Sequence, residues 1–206
     1  IDRINYYGYS GNRVKGLVFC SSKQEAKALS DEFNKRGYKT TSLTGEDSQE
    51  RREREVERLV ADSGDVLDYI FTVDIFNEGV DIPEVNQVVM LRPTQSAIVF
   101  IQQLGRGLRK SKDKDFVVII DFIANYKNNF LIPVALSGDN SYDKDTVRKF
   151  LSQGTRYLPG TSTIHFDEIS KQRIYSAIDN VKLNTWIFVA TEYSKLKNKL
   201  GRIPTY

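Results

Sequence analysis

Between Lys15 and Asp121, short apolar runs alternate with stretches whose apolar positions recur at helical spacing. Lys15 to Ser21 reads as a buried strand. Ser22 then stands as an N-cap with Glu25 three residues on, a capping box, and Ala26, Leu29 and Phe33 mark one helical face up to a stop at Arg36-Gly37. A second strand, Lys39 to Leu43, leads into Thr44-Gly45. Ser48 caps the next helix, whose apolar positions are Val56, Leu59 and Val60, and the charge run Glu50 to Arg58 reads as its solvated face. Further strands are expected at Leu67 to Thr72, Val85 to Leu91 and Phe116 to Asp121, with a helix starting after Thr94. Five strands separated by helices predict the α/β class with a parallel sheet, because parallel neighbours need crossover connections. Ligands of such sheets sit at the carboxyl ends of the strands. Here those ends are Ser21-Ser22, Thr44-Gly45, Thr72-Val73-Asp74, Arg92-Pro93-Thr94 and Asp121.

Beyond Asn125 the rhythm stops, and the chain is rich in Asn, Ser and Asp up to Asp143. Helices are expected at Asp143 to Leu151, Asp167 to Asp179 and Asn184 to Leu200, with an isolated strand at Thr163 to Phe166. The expected organisation is a sheet domain over 1–124, with its core at 15–121, and a smaller, mainly helical and possibly truncated module over 125–206. Charge divides the same way. Residues 1–124 carry a balance of −2 and residues 125–206 one of +5, which together give the overall +3. A basic second module suits a nucleic-acid contact and equally suits a solvated surface. Ile1 in place of methionine, and an end just after a helix stop, are expected of a piece excised from a longer protein.

With 40% hydrophobic and 28% charged residues in 206, the chain has the composition of a folded globular protein. One cysteine, Cys20, and one histidine, His165, exclude a disulfide within the chain and a Cys/His zinc site, and they leave nucleophilic triads poorly supplied. Cys20 reads as a small core residue and His165 as structural. No apolar run reaches the ~18–20 residues that span a bilayer, and no leader precedes the fold, so a soluble, cytoplasmic protein without a membrane partner is expected. Tyr6, Tyr7 and Tyr9 could stack on bases, although an aromatic docking strand or interdomain packing is the simpler reading.

No Gly-x-x-x-x-Gly-Lys-Ser/Thr loop occurs, so the chain cannot cradle a nucleotide's phosphates by that route. It does carry Gln102-Gln103-Leu104-Gly105-Arg106-Gly107-Leu108-Arg109. Two arginines three apart share one face of a helical turn and can converge on one anion. Guanidinium suits that task because it stays charged and binds phosphate oxygens as a fork. Taken alone, the pair reads more readily as a solvated basic helix end.

About twenty residues upstream stands Phe71-Thr72-Val73-Asp74-Ile75-Phe76-Asn77-Glu78-Gly79-Val80-Asp81-Ile82-Pro83. With it, residues 15–124 resemble the second RecA-like domain of superfamily 2 helicases and translocases of DEAD/DEAH type. Ser21-Ser22 resembles motif IV, Thr72 to Pro83 motif V, and Gln102 to Arg109 motif VI. Within motif V, the form Gly79-x-Asp81-x-Pro83 resembles bacterial proteins related to type III restriction subunits. The string Lys195 to Pro204 resembles, more faintly, the domain that follows the helicase core in such proteins.

The resemblance implies a P-loop-NTPase-type fold. It also implies an arginine finger at Arg109 reaching the γ-phosphate of ATP, a phosphate-contacting neighbour at Arg106, and a polar cleft residue at Gln102. Gly79 and Asp81 would meet the nucleotide. Ser21, Ser22, Thr44, Gly45 and Thr72 would meet a nucleic-acid backbone. ATP and Mg2+ are the implied cofactors, with the Mg2+ ligands in an N-terminal RecA-like domain outside this sequence. Gln102 stands where DEAD-box RNA helicases usually have histidine and Glu78 where they often have arginine, so DNA rather than RNA is the expected track, with an RNA helicase of the same superfamily or a non-enzymatic nucleic-acid-binding adaptor as the alternatives. Hydroxyl and glycine residues at strand ends suit contacts to the backbone without base readout. For Thr44-Gly45 a plain turn, and for Thr72 a plain β-branched strand residue, are the alternatives.

Overall fold

The computed structural model describes residues 1–73, 75, 82–92, 111–122, 133, 143–153, 163–180 and 193. These fall in two compact units, Ile1–Lys127 and Asn128–Tyr206.

The first unit is built on five strands, β1 (Gly16–Phe19), β2 (Thr40–Leu43), β3 (Tyr69–Thr72), β4 (Gln87–Met90) and β5 (Val118–Asp121). All are parallel, in the order β2-β3-β1-β4-β5. The burial of each strand follows from its place. The inner strands β1, β3 and β4 are buried at every position, as strands covered on both faces must be, and carry Gly-Leu-Val-Phe, Tyr-Ile-Phe-Thr and Gln-Val-Val-Met. The edge strand β2, Thr-Thr-Ser-Leu, is only half-buried until Leu43. One register row, Leu43, Thr72, Phe19, Met90 and Asp121, crosses the whole carboxyl edge.

Helices α1 (Asp2–Tyr7), α2 (Lys23–Lys35) and α3 (Gln49–Val60) flank this sheet. From α2, Ala26 and Phe33 pack onto Val18, Cys20, Tyr69, Phe71 and Val89. Phe33 meets the Tyr69 and Phe71 rings edge-on at 5.6 and 5.1 Å between centroids. From α3, Leu59 and Glu55 are buried, and Glu55 is neutralised by Arg54 at 3.0 Å and Arg58 at 2.5 Å.

Polar side chains pin the N-terminal segment to the amino edge of the sheet. Asn86 Oδ1 accepts from the Lys15 N–H at 2.8 Å, while its Nδ2 donates to the carbonyls of Ser10 and Arg13 at 2.6 and 2.8 Å. Gln87 Oε1 accepts from Tyr69 Oη at 2.6 Å, and its Nε2 donates to Gly8 O at 2.7 Å and Ile4 O at 3.2 Å. Tyr6 and Tyr7 therefore lie on a helix, not on a docking strand, with Ile4 as that helix's buried anchor.

In the second unit, α4 (Lys144–Gln153) and α5 (Glu168–Asn180) bury Val147, Phe150 and Leu151 and Ile174 and Ile178. Asp143 caps α4 by accepting from Asp145 N and Thr146 N at 3.0 and 2.9 Å, and Asp167 accepts from Ser170 N at 2.8 Å. Arg148 ties the helices together, donating to Asp145 at 3.1 Å and Asp179 at 2.5 Å. The strand expected at Thr163 to Phe166 is not formed, and that segment is irregular up to α5. No strand occurs among the described residues of the second unit, and an extended segment without a partner leaves its ladder groups unmade. The helices expected after Thr94 and at Asn184 to Leu200 lie outside the described residues.

Candidate nucleic-acid interface

At the carboxyl edge β3 lies between β1 and β2, so the Ser21-Ser22 and Thr44-Gly45 turns flank it two strand spacings apart, roughly 10 Å. Parallel topology puts both turns at the N-terminal ends of helices, where unpaired backbone N–H groups and the helix dipole favour anions.

The β1–α2 turn is held by the capping box. Ser22 takes an extended conformation and its Oγ accepts from Glu25 N at 3.1 Å, while the Glu25 carboxylate reaches back to Ser21 N at 2.6 Å. Both serines are exposed. The β2–α3 turn is held by Asp47, whose Oδ2 accepts from Thr44 N at 2.7 Å and from the Thr44 hydroxyl at 3.3 Å. Arg51 pairs with the other Asp47 oxygen, and Arg52 donates to Gly45 O at 2.8 Å and Thr44 O at 3.3 Å. Gly45 is exposed, and a Cβ there would meet nothing within 4 Å. Lys23, first residue of α2, pairs with Glu46 in the neighbouring turn and so joins the two loops. Asp47, Lys23, Glu46 and Arg52 went unnoticed in the chain; the Thr44-x-x-Asp47 spacing of a side chain that folds back on its own turn was the available signal.

Thr72 differs from the other four. It is only 1% exposed, and its Oγ1 meets no hydrogen-bond partner among the described residues. Its backbone carbonyl accepts from Cys20 N at 2.9 Å, tying the ends of β1 and β3 together. Gly79, Asp81, Gln102, Arg106 and Arg109 lie outside the described residues, and so does Asp74.

Elsewhere the chemistry is structural. Cys20 is fully buried, and burial first, then the nearby Glu25 charge, pushes its thiol up to about 12. It stays protonated and unreactive. His165 is exposed. A cavity of about 210 Å3 opens at the opposite, amino edge beside Arg13, Lys15, Asp62 and Lys114. Its cations already serve the backbone: Lys15 Nζ donates to Val60 O and to Asp62, both at 2.7 Å, and Lys114 Nζ to Val85 O at 2.9 Å. That cavity is therefore a capped end of α3 and not the place where this fold presents a ligand. Among the described residues no group of three or more His, Cys, Asp or Glu side chains is placed to hold a metal ion, and no helix is long and apolar enough to cross a membrane.

Parallel order, motif-bearing strand ends and small polar turns at the carboxyl edge are the features of a helicase C-terminal domain. Residues 3–111 match the helicase conserved C-terminal domain, and the chain belongs to that family, as carried by superfamily 2 DEAD/DEAH-type helicases. It is similar to IRC3 of Saccharomyces cerevisiae, named as an ATP-dependent helicase, at 34% identity over 107 residues, which are 52% of this chain and 15% of that protein. It is also similar to the ATP-dependent RNA helicase SrmB of Haemophilus influenzae, at 26% identity over 108 residues, 52% of this chain and 24% of that protein. Among solved structures, a DEAD box protein of Methanococcus jannaschii superposes with a TM-score of 0.42 at 25% identity, over 52% of this chain and 29% of that one. The chain thus spans 15% and 24% of the length of the two curated relatives named.

Proposed function

We propose that the chain is the C-terminal motor domain of an ATP-dependent helicase or translocase, working against an N-terminal RecA-like domain that completes the ATP site. The observation that carries this reading is the family match over 3–111, joined to exposed hydroxyl and glycine turns at the ends of β1 and β2. In this role Arg109 is the finger that extends to the γ-phosphate and stabilises charge in the transition state, an effect of ~10³–10⁵ in rate for such an arginine, and Arg106 is its phosphate-contacting neighbour. Gln102 orients the cleft, and Gly79 and Asp81 meet the nucleotide. When bound, ATP would supply the transferable phosphoryl group and Mg2+, with its ligands in the other domain, would neutralise its charge. Ser21, Ser22, Thr44 and Gly45 hold a nucleic-acid backbone, and the buried Thr72 acts from beneath, because its segment continues toward Gly79 and Asp81 and joins track to nucleotide. The bacterial, type III restriction-like subclass remains part of this reading through Gly79-x-Asp81-x-Pro83.

DNA is the track favoured by Gln102 and Glu78. RNA is the second reading, favoured by the name of the relative SrmB. Steady-state ATPase of the full-length protein, measured without nucleic acid, with single-stranded DNA and with single-stranded RNA, tests both. Stimulation by DNA is the expected outcome, stimulation by RNA alone moves the protein to the second reading, and no ATPase under any condition overturns both.

A further inference from the structure

The donors at the carboxyl edge are not vacant. Glu25 holds Ser21 N, Asp47 holds both donors of Thr44, and Glu46 holds the Lys23 ammonium. Each carboxylate occupies a position that a backbone phosphate would take if this edge carries the track. They differ in what else they do. Glu25 is part of the α2 cap, and the Asp47 side chain, 12% exposed, organises its turn through three contacts. Glu46 is 77% exposed, and among the described residues its carboxylate makes one contact, with a lysine that is itself 52% exposed. That pair is also the side-chain link between the two turns that flank β3.

We infer that Glu46 is an internal counter-anion for Lys23, and that nucleic acid binds by exchange: a backbone phosphate takes the Lys23 ammonium and releases Glu46. This rests on the reading of the carboxyl edge as the nucleic-acid face. An exposed ion pair contributes only ~0.2–1 kcal/mol, so it yields readily to a phosphate, yet it must be broken at every encounter. Exchange also lowers salt sensitivity. Lys23 displaces a counterion from the nucleic acid, while the freed Glu46 recruits one. The pair therefore sets the affinity low and holds the two turns together between encounters, which suits a protein that must release its track to advance along it.

The test is fluorescence anisotropy of labelled single-stranded DNA and single-stranded RNA with the full-length protein and its Glu46→Gln, Lys23→Gln and doubly substituted forms, over a series of salt concentrations. Glu46→Gln is expected to tighten binding about 1.5- to 5-fold, the pair energy expressed as an equilibrium ratio, and to steepen the salt dependence. Lys23→Gln is expected to weaken binding while leaving the salt slope close to wild type, because the counterion that Lys23 displaces and the one that Glu46 recruits are lost together. With Lys23 already replaced, Glu46→Gln should lose its effect. Equal tightening in both backgrounds would make Glu46 a distant repulsive charge and overturn the exchange. No tightening in a wild-type protein that does bind would overturn it too, leaving the nucleic-acid reading intact. Absence of binding to either strand by wild type and all variants would remove the nucleic-acid reading itself.

Discussion

Gly16→Ala puts a methyl group where the sheet has no room for one. A Cβ at Gly16 would lie 2.1 Å from Cδ1 and 2.2 Å from Cε1 of Tyr69, its register partner on β3. Carbon contacts are comfortable at roughly 3.5–4.0 Å, so the ring or the strand must move by about 1.5 Å. The ring has little freedom to do so. It is fully buried, its hydroxyl donates to Gln87 at 2.6 Å, and Phe33 and Tyr38 stand edge-on to it with centroids 5.6 and 5.8 Å away. Overpacking costs about 1–3 kcal/mol, and a ring held on three sides falls at the upper end. At roughly 2–4 °C per kcal/mol for a chain of this size, the expected fall in Tm is about 6–12 °C. Gly45→Ala is the matched control, since nothing lies within 4 Å of a Cβ there, and it should melt within about 2 °C of wild type. Thermal unfolding followed by circular dichroism reads both. A Gly16→Ala protein that melts with wild type would refute the packing of β1 against Tyr69.

Gln87→Leu should strip α1 from the sheet, because it leaves Tyr69 Oη and Gly8 O without their partner, while Ile4 O keeps only the Gly8 N–H; at ~1–3 kcal/mol for a buried orphan, amide exchange in Asp2–Tyr7 should rise far more than in β1, and unchanged protection would contradict the anchor. Stability should also fall at high pH. Burial raises the Cys20 thiol from 9.0 to about 12 and raises the Tyr69 phenol above its ordinary 10.0, so both stay neutral when folded and ionise on unfolding. Their contribution is complete below about pH 9 and is lost as pH rises through the folded values, each group adding up to about 1.4 kcal/mol per pH unit to the slope. Urea midpoints between neutral pH and about pH 10 should fall, and Cys20→Ala should flatten the first part of that fall; a midpoint independent of pH would contradict the burial of both groups.

The sheet was legible because its inner strands are covered on both faces, which writes them as unbroken apolar runs, and because Ser22 and Ser48 are helix caps whose side chains accept from Glu25 N and Arg51 N. Whole strands were read one to three residues too long, since apolar character continues beyond the ladder: Val85 is fully buried although β4 begins at Gln87. Helix α1 was not legible. Its six residues bury only Ile4, and it is held by a glutamine more than eighty positions away, a contact that leaves no local trace. Thr72 illustrates a similar limit at the site. Its residue type and position fit a backbone contact, yet being on an inner strand closes its side chain to solvent, which only the strand order reveals. The role of Glu46 likewise depends on which turns the topology sets side by side, whereas Asp47 acts within its own turn.

Whether this domain completes an ATPase site with an arginine finger is decided by the steady-state kinetics of Arg109→Ala in the full-length protein at saturating nucleic acid. The expected outcome is a kcat lower by at least about 10³-fold with KM for ATP near the wild-type value, because a finger acts on transition-state charge rather than on ground-state binding. A kcat close to wild type would contradict it and make Arg109 a surface residue.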